Sequence, residues 1–355
     1  MNNKTILITG ASGFIGFHLS NRLINDGYTV IGIDNINEYY DINLKFSRLA
    51  QLGIEKELVE YNCMIKSKTH ENFSFVKLNL EDTEGIASLF EHNSIDIVCS
   101  LGAQAGVRYS IENPMAYVTS NIIGFTNLME QSRLHNLEHV VYASSSSVYG
   151  LNSKMPFSPH DATNHPVSYY AATKKANELM AHVYSKLYNL PTTGLRFFTV
   201  YGPWGRPDMS PMLFADAIMN GKTLKVFNNG DMGRDFTYID DVIEGVVRVL
   251  LKPAKSSLNW DAENPDPASS IVPYRIYNIG NSSPVRLMDY IETLEAALGK
   301  EAVKEFLPMQ QGDVLNTFCD VSDLETEFNY RPKTTLKEGL AKFATWYKAY
   351  YGFDK

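Results

Sequence analysis

The sequence has 355 residues, of which 44% are apolar, 20% charged and 12% aromatic. This ordinary globular composition excludes a disordered, collagen-like or highly charged chain, and the length predicts two domains or one large α/β domain with a smaller lobe. The 32 Lys and Arg against 40 Asp and Glu give a formal net charge of -8, which argues against a nucleic-acid partner because binding the phosphate backbone requires cationic side chains.

Predicted strands alternate with helices along the first half of the chain. They are the short apolar or β-branched runs 5–8, 29–33, 73–78, 96–100, 139–143 and 192–198. This alternation is typical of βαβ units and predicts a doubly wound parallel sheet, a Rossmann-like α/β fold. The link between the second and third of these strands is long enough to hold an extra helix, which we predict at 44–49.

The second half loses the strict alternation and predicts a smaller mixed α/β lobe. Residues 256–273 are rich in Ser, Asn, Asp and Pro and are predicted to form a surface loop, and an aromatic-rich helix is predicted around 343–347. No run of about 18 apolar residues and no secretion signal occurs, so we expect no membrane partner. Three widely spaced cysteines predict no disulfide framework and no metal site, and they fit a reducing, cytoplasmic location.

Three glycines follow the first predicted strand, where a helix begins. Gly10 permits a tight turn, Gly13 lets the backbone approach a pyrophosphate, and Gly16 lets the helix pack closely on the strand. The anion would lie at the helix N-terminus. The spacing G-x-x-G-x-x-G differs from the commoner G-x-G-x-x-G, so by itself the loop also fits an ordinary turn.

An acidic residue, Asp34, ends the second predicted strand 18 positions after Gly16. A carboxylate at this place accepts hydrogen bonds from the adenosine ribose hydroxyls and repels a 2′-phosphate. An isolated Asp at a strand end also fits a solvated turn. Glycine loop, strand and acid together predict a dinucleotide site with NAD, in preference to NADP, as the cofactor.

A run of serines, 144–147, follows the predicted strand 139–143. Hydroxyls at the carboxyl end of a parallel strand point into the ligand crevice, although an isolated serine run also fits a polar turn.

Tyr170 and Lys174 are four residues apart in a helix-forming stretch, so both side chains lie on one face. A neighbouring ammonium and an oxidised nicotinamide favour a phenolate, which can remove a proton from a sugar hydroxyl while hydride leaves the same carbon. The spacing alone also fits a surface pair. Tyr169 is not preferred as the base, because Thr173 occupies the fourth position after it.

These motifs follow one another in the order typical of the extended short-chain dehydrogenase/reductases. They are TGASGFIG at 9–16, Asp34, LGAQAGVR at 101–108, SSSSVYG at 144–150, YAATK at 170–174 and RDFTYIDD at 234–241. Within that superfamily the sequence resembles the NAD-dependent nucleotide-sugar epimerases, and most closely the UDP-glucuronate 4-epimerases, over nearly its whole length.

The resemblance implies a catalytic triad of Ser145, Tyr170 and Lys174. Ser145 would hydrogen-bond the 4-oxygen of the sugar, Tyr170 would act as acid and base, and Lys174 would hold the nicotinamide ribose. The implied cofactor-binding residues are Gly10, Gly13, Phe14, Ile15, Gly16, Asp34, Asn79, Leu80, Tyr170 and Lys174. Phe14 and Ile15 would donate backbone amides to the pyrophosphate. Asn79 stands where the family has Asp, so its contact with adenine lacks the charge.

The implied substrate-binding residues extend from the triad into the second half of the chain. They are Arg108, Ser145, Ser146, Ser147, Thr199, Arg206, Arg234 and Asp313. Arg206 and Arg234 would lie near the diphosphate of UDP, Asp313 near a ribose hydroxyl and Arg108 near the sugar. Guanidinium groups suit phosphate, although an Arg-Asp neighbour pair such as 234–235 also fits a surface ion pair.

Two uncharged residues, Ser146 and Ser147, distinguish the sequence from related enzymes. Relatives that dehydrate a nucleotide hexose have Asp and Glu there, and relatives that decarboxylate UDP-glucuronate have Glu at the second position. Oxidation of a uronic acid at C4 yields a β-keto acid, which loses carbon dioxide when its carboxylate aligns with the ketone. Both serines and Thr199 could hold the carboxylate out of that alignment, or could simply line the crevice. Thr199 and Gln310 also resemble the uronate branch.

We therefore predict NAD-dependent 4-epimerisation of UDP-glucuronate to UDP-galacturonate through a transient 4-keto sugar. The alternatives are a 4-epimerase of a neutral UDP-sugar, namely UDP-glucose, UDP-N-acetylglucosamine or UDP-xylose, and a noncatalytic NAD-binding regulator on the same fold.

We predict that residues 1–195 form the NAD-binding domain, with segments near 236–252 and 273–281 returning to it, and that 196–355 form mainly the UDP-sugar-binding lobe. Apolar helices at 114–129 and 170–187 predict a homodimer like that of the family, or else ordinary packing against the sheet.

Overall fold

The computed structural model describes residues 4–309 and 316–353, which form two compact units. Residues 4–153, 159–197 and 245–278 make up the first unit; 154–158, 198–244, 279–309 and 316–353 make up the second. The segment that returns to the first unit is therefore 245–278, whereas 236–244 and 279–281, which the sequence analysis assigned to the first domain, belong to the second unit.

Regular strands and helices make up most of both units. In chain order the strands are β1 (Thr5–Thr9), β2 (Thr29–Asp34), β3 (Met64–Lys66), β4 (Phe73–Lys77), β5 (Ile97–Ser100), β6 (His139–Ser145), β7 (Thr192–Phe197), β8 (Thr199–Tyr201), β9 (Thr223–Val226), β10 (Gly233–Tyr238), β11 (Tyr274–Ile279), β12 (Pro284–Arg286), β13 (Val303–Phe306) and β14 (Asn316–Thr317). The α-helices are α1 (Phe14–Asn25), α2 (Ile42–Gln51), α3 (Thr83–Glu91), α4 (Tyr109–Glu112), α5 (Pro114–Tyr117), α6 (Gly124–Leu134), α7 (Tyr169–Tyr188), α8 (Ser210–Asn220), α9 (Ile239–Leu250), α10 (Leu287–Leu298), α11 (Ser322–Phe328) and α12 (Leu336–Tyr351).

The first unit is built on one sheet with the strand order β11-β7-β6-β5-β1-β2-β4-β3. Neighbouring strands from β7 to β4 are parallel, and β3 pairs antiparallel with β4. The chain runs outward from β1 through β2 and β4 and then crosses to β5 on the other side. The predicted doubly wound sheet is confirmed, and its topological switch point, where such sheets bind ligands, lies between β1 and β5.

Apolar strands explain why this sheet is buried. Ile6, Leu7 and Ile8 in β1 are all fully buried, as expected for a parallel strand covered on both faces. The main core continues through α3 and α6, where Ile86 and Leu128 are fully buried. All six predicted strands form strands, and the predicted extra helix lies within α2.

The second unit contains a smaller mixed sheet centred on β10, which confirms the predicted mixed lobe. β10 pairs in parallel with β8 and β14 and antiparallel with β12, while β9 and β13 form a separate parallel pair. Phe236 of β10 stacks on Tyr290 of α10 at 4.2 Å between ring centroids. The predicted aromatic-rich helix is α12, which begins at a capping box formed by Thr335 and Glu338.

One prediction about local structure needs correction. Residues 256–273 are irregular as expected of a loop, but Ala268 and Val272 are buried because they pack into the main core, and the Ile276 amide donates to the Ala268 carbonyl. The predicted helix 114–129 is confirmed as an unbroken helical run, in which a π-helical stretch over Val118–Ile123 lies between α5 and α6.

Across 4–309 and 316–353, no helix is both long and apolar enough to span a membrane. The same residues contain no group of three or more His, Cys, Asp or Glu that could hold a metal ion.

Candidate active site

The turn between β1 and α1 has room for backbone only at its glycine positions. Gly10 has a φ of +72°, and a Cβ there would lie 2.9 Å from the Cα of Gly102 in the loop after β5. A Cβ on Gly16 would lie 2.1 Å from the Gly10 carbonyl oxygen, which already accepts the Gly13 amide at 2.9 Å. The predicted glycine roles of tight turning and close packing therefore have a steric basis in this structure.

The amino end of α1 opens toward this turn. The helix begins at Phe14, and its N-cap residue Gly13 provides no side chain to satisfy the first amides. The Phe14 and Ile15 amides therefore belong to the helix end that attracts anions. A glycine-rich turn beside such a helix end fits a pyrophosphate group.

The carboxylate of Asp34 lies beside the same turn. It accepts the Ser12 amide at 3.2 Å and the Ile36 amide at 2.8 Å. Ile36 adopts a φ of 54°, which is rare for a β-branched residue, so the Asp34 bond holds a strained turn at the end of β2. The structure thus brings together Asp34 and the glycine loop.

Asn79 and Leu80 follow β4, the strand next to β2. The amide of Leu78 donates to the Asp34 carbonyl at 3.1 Å, and the Leu80 carbonyl accepts from the Asn127 side chain at 2.9 Å. These contacts fix the predicted adenine-binding pair at the sheet edge that carries Asp34.

One residue of this region was missed by the sequence analysis. Arg48 of α2 is fully buried and donates from Nη1 to the Ser12 carbonyl at 2.9 Å and to the Tyr40 hydroxyl at 2.8 Å. Arg48 therefore ties the inserted helix to the glycine loop. Arginine is seldom fully buried, and nothing in the local pattern distinguishes Arg48 from a surface residue.

Tyr170 and Lys174 lie in the first turns of α7, which begins after the capping hydroxyl of Ser168. Lys174 Nζ lies 6.0 Å from the centroid of the Tyr170 ring and donates to the Ala143 carbonyl at 2.8 Å. Lys174 is 4% exposed, and burial lowers its pKa to about 8. The Lys174 side chain therefore remains mainly an ammonium at neutral pH, although its pKa lies much closer to neutral pH than that of an exposed lysine.

The serine run begins at the carboxyl end of β6 and continues into a 3₁₀ turn over Ser146–Tyr149. Ser145 Oγ accepts the Ser147 amide at 3.2 Å and the Ser147 hydroxyl at 2.9 Å. Since α7 packs against both β6 and this turn, the structure brings Ser145, Tyr170 and Lys174 onto contacting elements of one unit.

A buried ion pair that the sequence analysis also missed lies behind these serines. Glu178 of α7 accepts from Arg196 Nε at 2.8 Å and Nη2 at 3.0 Å, and from the Ser144 hydroxyl at 2.7 Å. Both charged side chains are completely buried. Burial would raise the pKa of Glu178, but the Arg196 guanidinium outweighs it, so the pKa lies below its ordinary value.

The remaining predicted substrate residues are more widely distributed. Arg108 is exposed in the loop after β5 of the first unit. Thr199, Arg206 and Arg234 belong to the second unit, where Arg206 is paired with Asp208 and Arg234 Nη1 donates to the Gly233 carbonyl at 2.9 Å. The predicted positions 310 and 313 lie outside the described residues.

A family model described as the NAD dependent epimerase/dehydratase family matches residues 6–280 of this chain. The chain belongs to this family. The predicted resemblance to NAD-dependent nucleotide-sugar epimerases is confirmed, as are the predicted enzyme class, a nucleotide-sugar 4-epimerase, and the cofactor NAD.

Individual relatives of this NAD-dependent epimerase cover almost its whole length. Protein CapI of Staphylococcus aureus is 52% identical over 346 residues, 98% of this chain and 99% of CapI. The probable UDP-glucuronate 4-epimerase of Rhizobium meliloti is 43% identical over 97% of both chains. The crystal structure of the UDP-glucuronic acid 4-epimerase from Bacillus cereus, in complex with UDP-glucuronic acid and NAD, matches with a TM-score of 0.80 and 33% identity over 98% of this chain and 100% of that one.

The contacts of Asp34 lead to a prediction about the cofactor. We expect Asp34→Asn to weaken NAD binding by about tenfold or more, because the predicted charged acceptor of the ribose hydroxyls, which also accepts the turn amides, becomes a neutral amide. The predicted preference for NAD over NADP should narrow as well, since the repulsion of a 2′-phosphate is lost. Titration calorimetry with both dinucleotides measures both effects.

Asp26→Asn is the matched control for this prediction, because Asp26 pairs with Arg22 on the surface at the far end of α1. Unchanged dissociation constants for both dinucleotides in Asp34→Asn would contradict the assignment of Asp34 to the ribose.

Proposed function

We propose that the protein is a UDP-glucuronate 4-epimerase, which interconverts UDP-glucuronate and UDP-galacturonate through a transient 4-keto sugar. The observation that carries the proposal is the pair of uncharged hydroxyls at Ser146 and Ser147, directly after the strand that ends in Ser145. No acid stands there to assist an elimination. The similarity to the Rhizobium meliloti and Bacillus cereus proteins supports the same substrate.

The proposed chemistry divides among three residues of the first unit. When bound, NAD supplies the hydride acceptor and donor for C4 of the sugar. The Ser145 hydroxyl holds the 4-oxygen, and Tyr170 takes the proton of the 4-hydroxyl and later returns it. Lys174, held by the Ala143 carbonyl, orients the nicotinamide ribose and favours the Tyr170 phenolate. One hydride and one proton leave and return, so no net oxidation occurs.

The proposed contacts to NAD come from the glycine turn and from the ends of β2 and β4. The Phe14 and Ile15 amides bind the pyrophosphate, Asp34 binds the adenosine ribose, and residues 79–80 contact the adenine.

We further propose that the second unit binds the UDP moiety, through the forked guanidinium of Arg206 and through Arg234. Arg206 already holds a carboxylate, that of Asp208, in the bidentate way in which it would hold a phosphate. Roles for Thr199 and Arg108 at the sugar, and for Asp313 at a ribose hydroxyl, are part of the same proposal.

Proton NMR of the purified protein incubated with UDP-glucuronate tests the proposal, because it separates epimerisation, decarboxylation and no reaction. The expected result is the appearance of UDP-galacturonate without a UDP-pentose. Inversion at C4 of a neutral UDP-sugar, with UDP-glucuronate unchanged, would contradict the proposed substrate and favour a neutral-sugar 4-epimerase. Bound NAD without turnover of any UDP-sugar would favour a noncatalytic regulator.

A change in product is expected when the two serines lose their hydroxyls. In the double variant Ser146→Ala and Ser147→Ala the 4-keto uronate is held less firmly, so its carboxylate can align with the ketone and leave as carbon dioxide. Decarboxylation gives a UDP-4-ketopentose, and when this ketone leaves before hydride returns to its C4, one NADH remains for each carbon dioxide lost. We expect NADH absorbance and a UDP-4-ketopentose to rise together at the expense of UDP-galacturonate.

Ser88→Ala is the control for this variant, because Ser88 is a partly exposed serine of α3, away from the serine run after β6. A double variant that epimerises with no more NADH than the wild type would contradict the proposed role of the serines.

We propose a homodimer formed through α6 and α7. Leu134, Leu179, Val183 and Leu187 on these helices are each about half or more exposed despite being apolar. An apolar face of this kind marks a protein interface. Light scattering at micromolar concentration should give twice the chain mass of 40.0 kDa, and a monomer mass would refute the dimer.

A further inference from the structure

Tyr117, which neither the sequence analysis nor the proposed mechanism uses, is fully buried at the end of α5. Its hydroxyl donates a shared hydrogen bond to the carbonyl oxygens of Ala105 at 2.8 Å and Gly106 at 2.5 Å. Both carbonyls belong to the loop that follows β5. A core tyrosine needs only one partner for its hydroxyl, whereas this one holds two successive peptide groups.

The loop that Tyr117 holds, residues 101–108, lies at the switch point of the sheet. Its Gly102 packs against Gly10 of the cofactor turn, and its last residue is Arg108. The Gln104 backbone is fixed separately, since its amide and carbonyl both bond to the Asn121 side chain, at 2.8 and 3.0 Å. Beyond Gln104, the Ser110 hydroxyl holds the Val107 carbonyl at 2.6 Å, and Tyr117 holds the Ala105 and Gly106 carbonyls between these two points.

The ring of Tyr117 meets the ring of Tyr170. The two centroids are 6.0 Å apart with the planes at 69°, an edge-to-face contact. The hydroxyl of a tyrosine lies on the axis of its ring, so whatever fixes the plane and tilt of the Tyr170 ring fixes the position of its oxygen. A proton transfer is sensitive to such placement, since a displacement of about 1 Å can cost about a hundredfold in rate.

We propose that Tyr117 is a positioning residue with two separable actions: its hydroxyl fixes the substrate-facing loop at 105–106, and its ring fixes the acid/base Tyr170. The inference rests on the proposed function for the role of Tyr170 and of the loop. If Tyr117 only filled the core, its variants would change stability without dividing their effects between substrate binding and chemistry.

Two substitutions separate the actions. Tyr117→Phe keeps the ring and removes the hydroxyl, so KM for the UDP-sugar should rise about tenfold while kcat stays within about twofold. Tyr117→Leu removes the ring as well, so kcat should fall by about tenfold or more in addition. Tyr117→Met, which fills more of the space, replaces the leucine variant if that protein does not fold. Each variant is assayed on the UDP-sugar that the wild type turns over fastest.

Tyr109→Phe is the matched control, because Tyr109 belongs to the same ring cluster and its hydroxyl accepts from Asn113 outside the 104–106 loop. An unchanged KM in Tyr117→Phe would overturn the hydroxyl action, and an equal loss of kcat in the phenylalanine and aliphatic variants would overturn the ring action. A wild type active only on a neutral UDP-sugar would refute the proposed substrate while still testing Tyr117.

Discussion

Tyr170→Phe is expected to lower kcat for UDP-sugar epimerisation by about 10²–10⁴-fold, the range that general acid–base catalysis supplies. The substitution removes only the hydroxyl, so the ring keeps its edge-to-face contact with Tyr117 and its place above Lys174. The 4-hydroxyl of the sugar then has no group to take its proton as hydride leaves. Single-turnover and steady-state rates, followed by NMR or a coupled assay, measure the loss.

NAD affinity should fall far less than kcat in this variant, because Tyr170 is only one of the predicted cofactor-binding residues and the glycine loop and Asp34 lie on other elements. Tyr169→Phe is the control on the neighbouring position, which is 44% exposed and starts the same helix. If Tyr170→Phe kept more than about a tenth of the wild-type kcat, Tyr170 would not be the acid/base, and the choice between the two adjacent tyrosines would have to be reopened.

The sequence predicted the parts of the molecule in which local pattern and tertiary role coincide. The strand 5–8 is apolar on both faces because it is buried on both. Gly10, Gly13 and Gly16 recur because a Cβ at any of them would clash with neighbouring backbone. Short β3 left no pattern, since two of its three residues are exposed and its pairing with β4 comes from the fold.

The residues that support the candidate site were harder to find. Arg48, Tyr117, Glu178 and Arg196 are ordinary side chains in their local sequence, and each acquires its role from a partner at least eight positions away. Helical periodicity places Glu178 on the face of Lys174, but it does not reveal that Arg196 of β7 comes to lie beside it. Such pairs follow from the strand order, which the motifs do not contain.

The net charge of the chain does not predict whether it binds small anionic ligands. A chain with a net charge of -8 is proposed to bind two anionic ligands, and all the proposed donors are local. They are the uncapped end of α1, two arginines of the second unit and the hydroxyls after β6. Overall charge argues against a polyanionic surface partner, whereas it says little about a small anion in a crevice.

The buried ion pair should dominate the response of stability to substitution. Glu178→Leu leaves the Arg196 guanidinium buried without its carboxylate, and loss of one partner of such a pair costs about 3–5 kcal/mol of unfolding free energy. The double variant Glu178→Leu and Arg196→Met removes both charges and should recover most of that loss, because an apolar pair of similar volume needs no counter-charge. Urea unfolding measures the free energies.

Lys175→Met is the control for this pair, since Lys175 contacts Glu178 from a partly exposed position and its loss should cost about 1 kcal/mol or less. The sign of the pH effect follows from the lowered pKa of Glu178. The stabilisation that ionised Glu178 contributes is complete above the pKa of glutamate in the unfolded chain. It is lost as the pH falls through the lower pKa that Glu178 has in the folded protein. The wild type should therefore lose stability below about pH 4 more steeply than the double variant. A double variant as unstable as Glu178→Leu alone would show that the cost lies in packing and not in the unpaired charge.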